Sequence, residues 1–192
     1  MAAGVCNWLA LAGGGRLAAG GVVKVDDVFD ISAADGGREV GSIEGGSNGR
    51  IVLGSNALTF GRDNEDRLYA GTFSGSGALS KVGTGTIFLT GFTTHSGVTN
   101  IEQGSVAART YSLGPRIVNN GTLLLTQERD EANPGSSTLP PGSLYTEYPE
   151  LRDYSGTISG SGQLIKAGNG VVWLRGENSY SGGTRVDDGV LI

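Results

Sequence analysis

The chain has 192 residues, with 35 Gly, five Pro, one Cys, 38% hydrophobic residues and a formal net charge of −5. That length fits one domain, and so much Gly with so little Pro is not a disordered composition; the modest apolar content suits a thin core with a long perimeter. The acidic balance disfavours a nucleic-acid partner, no Lys/Arg-rich amphipathic segment suits an anionic membrane, and no apolar run approaches the ~20 residues of a spanning helix.

Residues 1–27 read as a lead-in to the fold. Their start, MAAGVCNWLALAGGGRLAAGG, is apolar only briefly and has no Lys or Arg before the apolar part. A secretory signal needs a positive leading region, so a first strand and turn is expected here instead. The single Cys6 has no internal disulfide partner and reads as a small buried residue.

Residues 28–126 read as continuous strand and turn. Short runs rich in Val, Ile, Thr and Phe, each about five residues long, alternate with Gly-containing turns too short to hold helices. Residues 127–153 (QERDEANPGSSTLPPGSLYTEYPELRD) break this pattern with four of the five prolines and six acidic residues. Proline does not fit a central strand, so this is expected to be an inserted loop. Strand and turn resume over 154–192, and the chain stops inside an apolar strand (GVLI), as a piece of a longer protein would.

The dominant signal is a duplication. GTFSGSGALSKVGTGTIFLTGFTTHSGVTNIEQGSV begins at Gly71, and its near-copy GTISGSGQLIKAGNGVVWLRGENSYSGGTRVDDGVL begins at Gly156, 85 positions later. The copies align without gaps, mostly through Gly, Ser and Thr. They share Leu79/Leu164, Lys81/Lys166, Leu89/Leu174 and a string of glycines that includes Gly91/Gly176. Recurring glycines mean that the backbone path repeats turn for turn. Units this small cannot bury a face alone and must stack. Three strands between residues 78 and 104 suggest a rung of about 27 residues or slightly less.

This pattern, Gly-Thr-x-Ser-Gly-Ser-Gly-x-Leu-x-Lys-x-Gly-x-Gly-x-x-x-Leu-x-Gly followed by Ser-Gly-x-Thr, resembles the autotransporter-associated β-strand repeat of Gram-negative passenger domains. The second copy is the nearer match, and the clear resemblance covers residues 71–107 and 156–192. It implies an all-β, right-handed parallel β-helix, essentially without helix. Six to eight rungs about 4.8 Å apart would make it about 30–40 Å long. It also implies a type V secreted protein, on the cell surface or released, whose repeats support transport and folding of an extracellular stalk. The implied partner is the protein's own translocator barrel, which this sequence lacks. Two alternatives stand beside the stalk: an adhesin or carbohydrate-binding surface facing a host protein or glycan, and a polysaccharide-acting β-helix enzyme.

Residue chemistry adds little to the enzyme alternative. The acid clusters Asp26/Asp27/Asp30, Asp63/Glu65/Asp66 and Asp187/Asp188 do not recur at matched positions, apart from the pair Glu102/Asp187. Residues 61–66 (GRDNED) lack EF-hand spacing, so solvated turns are expected rather than calcium. The only histidine, His95, stands where the other copy has Tyr180, a poor position for a Ser–His–Asp arrangement. The Gly-Ser-Gly runs precede strands and not the helix a phosphate-binding loop needs. No catalytic, cofactor or metal residue is therefore assigned. Strand alternation places Phe88 and Trp173 on the outer face, with Ile87, Leu89, Val172 and Leu174 inside. Phe88 and Trp173, with Tyr145 and Tyr148 of the loop, are the candidate surface-binding residues. Lys81 and Lys166 share parity with core leucines, and a bend that lets the ammonium reach solvent is expected.

Overall fold

The structure, a computed structural model, describes residues 8–128 and 153–192. Over these residues it is an all-β parallel solenoid of about eight turns. The only helical element described is a 3-10 turn, Thr110–Ser112. Every strand pairing is parallel. The proline-rich insertion and its tyrosines, Tyr145 and Tyr148, fall outside the described residues, as does Cys6.

Each turn has three sides, visited in fixed order. The first side begins as a four-stranded sheet of Trp8–Ala10, Val28–Asp30, Arg50–Val52 and Thr72–Ser74. It continues without regular strand through residues 92–95 and the 3-10 turn, held by Thr94 N–H donating to Phe73 O at 3.0 Å and Thr93 N–H to Tyr111 O at 3.2 Å. It ends in Asp153–Tyr154, Val171–Leu174 and Val190–Leu191. The second side is Arg38–Glu39, Leu58–Phe60, Leu79–Lys81, Val98–Ile101, Arg116–Asn119 and Thr157–Ser159. The third side starts with Val22–Lys24 and Ser42–Glu44 and is linked by a Gly45–Tyr69 bridge to a six-stranded sheet. That sheet is Arg67–Tyr69, Thr86–Leu89, Ser105–Ala108, Thr122–Leu125, Gln163–Lys166 and Thr184–Val186. Eight strands at about 4.8 Å make a shaft of about 35 Å.

Regular pairing begins at Trp8, within the stretch read from sequence as a lead-in. The rung is also shorter than the sequence suggested. Val22 pairs with Ser42, Leu79 with Thr99 and Asp153 with Trp173, each 20 residues apart. The segment taken for one rung contains two strands, Leu79–Lys81 and Val98–Ile101, that stack directly on each other.

Alternation sets what fills the interior. Leu58, Leu79, Thr99, Ile117 and Ile158 stack through the second side, and Ile87, Val106, Leu123 and Leu164 through the third, all buried. Such aligned aliphatic columns supply the apolar burial that no single rung could, at about 25 cal/mol per Å².

The two copies do not occupy equivalent places. Leu79 lies on the second side and its counterpart Leu164 on the third. Ile87 lies on the third side and its counterpart Val172 on the first. The second copy is thus set one side further around the shaft. Each copy places three strands, leaves the next side irregular (92–95, then 177–180), and places two strands more.

Candidate functional site

The matched lysines point inward, correcting the solvent-reaching bend expected for them. Lys81 is 2% exposed; its Nζ donates to Val82 O at 2.7 Å, Gly83 O at 2.8 Å and Gln103 O, one rung on, at 3.4 Å. Lys166 is fully buried and its Nζ donates likewise to Ala167 O at 2.8 Å and Gly168 O at 2.5 Å, with longer bonds to Gln127 O and Asp188 O. The parity argument placed these side chains correctly on the inner face. What it missed is that corner carbonyls turn inward and can satisfy all three ammonium protons. Desolvation lowers both lysine pKa values, and nearby acids oppose it: Asp63 and Asp66 for Lys81, Asp188 and Glu128 for Lys166. Arg38 does the same at another corner, donating from Nη1 to Gly36 O and Gly37 O and from Nη2 to Gly13 O. These cations fasten corners and are not presented to a ligand.

A second matched pair lies two residues before each copy. Tyr69 and Tyr154 are both buried, and burial raises both phenol pKa values. Tyr69 Oη donates to Thr72 O at 3.1 Å and Tyr154 Oη to Gly114 O at 2.8 Å. Each ring sits where a β-carbon on Gly71 or Gly156 would lie. The 85-residue spacing carried this signal too, since Tyr69 and Tyr154 obey it.

Phe88 faces outward from the third side, 41% exposed, between Leu68 and Ala107 on adjacent rungs. Trp173 faces outward from the first side, with the Arg175 guanidinium 4.3 Å from its ring centre and Arg175 Nε 2.5 Å from Asp153 Oδ2. Both point away from the core, yet the one-side offset puts them on different flanks, so they do not line one stripe.

Most members of the acid clusters are engaged locally. Lys24 pairs with Asp26 at 3.3 Å and Arg50 with Asp27 at 3.3 Å, and Asp30 accepts from Ser32 N–H at 2.8 Å. Arg67 draws Asp63 (2.9 Å) and Glu44 (3.1 Å) together, and Asp66 accepts from Thr86 N–H at 2.7 Å. Arg185 holds Asp187 at 2.7 Å, and Asp188 accepts from Gly189 N–H at 2.7 Å. Among the described residues no three His, Cys, Asp or Glu are grouped to hold a metal ion. His95 is buried; its Nε2–H donates to Gly77 O at 2.7 Å rather than to a serine, and Nδ1 lacks a partner. Burial lowers its pKa, opposed by the bond to Gly77.

One exposed group was not among the candidate binding residues. Phe92, 58% exposed, stacks on Tyr111 of the next rung, with ring centres 6.2 Å apart and planes 18° from parallel. Arg109 Nη1 lies 3.1 Å from Tyr111 Oη, and its guanidinium carbon is 6.0 Å from that ring. These residues sit on the irregular part of the first side, where period-2 patterning gives no guide to direction.

The passenger-associated-transport-repeat family matches residues 79–108 and 164–192 of this chain. The chain is 30% identical over 140 residues to the adhesin BmaC autotransporter of Brucella suis biovar 1 (strain 1330), a stretch covering 64% of this chain and 4% of that protein. No solved structure matches it. The repeats and this relative place the chain on the surface of a Gram-negative bacterium or in its secreted fraction.

Proposed function

We propose that this chain, which carries two passenger-associated-transport repeats, is a structural segment of an autotransporter passenger, a length of extracellular shaft whose stacking supports export and folding. The observation that carries this reading is the cycle of three sides repeated through both copies, with many corners fastened by buried lysine or tightly apposed glycine. In such a shaft each rung can template the next, so folding can advance along one axis as chain emerges. Its partner in this role is a translocator barrel, and its contribution is mechanical and not enzymatic.

The test is to fuse the chain to a translocator barrel and follow its appearance and protease resistance on the cell surface. The shaft should become resistant soon after export, and a chain lacking 156–192 should remain sensitive or stall. If removing both 71–107 and 156–192 altered neither export nor resistance, the reading would fail. An adhesive role is the second reading. The adhesin relative and the outward aromatic residues of the first side favour it.

A further inference from the structure

The geometry points to a binding site for a carboxylated sugar on the first side of the shaft, built from Phe92, Tyr111 and Arg109. It goes beyond the structural role and does not depend on how the shaft is exported. Three observations carry it. First, Phe92 and Tyr111 come from successive rungs and lie nearly parallel, and Phe92 is more than half exposed. The exposed Phe92 ring, backed by Tyr111, offers a flat apolar plate, and the apolar C–H face of a pyranose is the flat surface that plate fits.

Second, the charge beside the plate is uncommitted. Arg50, Arg62, Arg67, Arg175 and Arg185 each meet a carboxylate. Arg109 meets none among the described residues; its guanidinium donates to the Tyr111 hydroxyl, which holds it beside that ring. A planar fork with unused donors matches a carboxylate in two-point geometry. Arg16 and Arg116 also meet no carboxylate among the described residues, but Arg109 is the one held against the stacked rings.

Third, the same side carries Trp173 further along the shaft, with Arg175 and Asp153 beside it. Tyr111 and Asp153 flank one rung boundary and Asp153 pairs with Trp173, so about two rung spacings, ~10 Å, separate Tyr111 from Trp173. That distance suits a chain of sugars running along the axis better than a single ring.

The chemistry is shared by sialic acids of host glycans and uronic acids of bacterial or plant polysaccharides, and the experiment separates them. The full chain is titrated calorimetrically with 3′-sialyllactose, with trigalacturonate and with lactose. At least one acidic sugar should bind with a Kd of about 1 mM or tighter. Lactose should bind at least about tenfold more weakly. Phe92→Ala and Arg109→Gln should each weaken the acidic sugar by about fivefold or more, whereas Phe88→Ala, on the third side, should leave it unchanged. Both altered side chains face outward, so an unchanged thermal transition confirms that each variant is folded. Which sugar binds names the source. Absence of binding by both acidic sugars overturns the site, and so does a Kd indifferent to Phe92→Ala and Arg109→Gln in folded protein.

Discussion

Lys81 shows how much one side chain can fasten. Its methylenes fill core beside Phe60 and Ile101, its partners in register, while its ammonium ties two corner carbonyls to a third on the next rung. Lys81→Ala removes both contributions and is expected to cost about 2–4 kcal/mol in denaturant unfolding. Lys81→Met keeps the stem and should cost less. Equal losses in the two variants would show that the bonds and not the stem matter. His95 gives a pH-dependent counterpart. Its folded pKa lies below the ordinary 6.5, so as pH falls the unfolded chain takes up the proton first. The stability this residue contributes is complete above about pH 6.5 and is lost as pH drops below it. The stability gap between wild type and His95→Gln should therefore change between pH 7 and pH 5 in the direction that penalises wild type. A gap constant over that range would count against a buried neutral imidazole.

At the scale of the strand and its corner, glycine placement decides where the backbone can pass. A β-carbon on Gly91 would run into the carbonyls of Gly71 and Ala70 one rung below, and on its counterpart Gly176 into that of Gly156. Gly46 has open space around the same position. Gly91→Ala should destabilise by about 2 kcal/mol or more because backbone cannot give way, and Gly46→Ala should fall within about 0.5 kcal/mol of wild type. Thermal melts of the two variants check this, and similar losses would refute the steric reading. This is also the scale at which the sequence was most legible. Glycine recurrence and alternation told that Ile87 and Leu89 point in and Phe88 out, because both signals are local. The rung length was misjudged because strand pairing joins residues 20 apart, which no local pattern reveals. The Lys81 bond to Gln103 and the Phe92–Tyr111 stack were hidden for the same reason, each depending on the neighbouring rung.

For the molecule as a whole, stability is expected to be a sum over neighbouring rungs. Rungs with strands both above and below should open least. Backbone amides of Val98–Ile101 and Ser105–Ala108, paired on both flanks, are expected to exchange hydrogen most slowly. Those of Thr184–Val186 and Val190–Leu191, paired on one flank in this chain, should exchange fastest of the strands. Exchange followed by mass spectrometry measures this, and uniform protection along the axis would indicate global cooperative opening instead.

The one-side offset between the copies has a consequence for how such proteins can vary. A duplicated segment here need not contain a whole number of turns. A length that closes on a corner can be spliced in, because corners on all three sides are closed by the same means, apposed glycine and, at Arg38, Lys81 and Lys166, an inward cation. Recombination can therefore lengthen the shaft in thirds of a turn, and each addition swings the following segment to a new bearing. Segments 92–95 and 177–180 already face different compass points. A lineage drawing on this freedom can display changing surfaces all around its circumference while the interior stays the same.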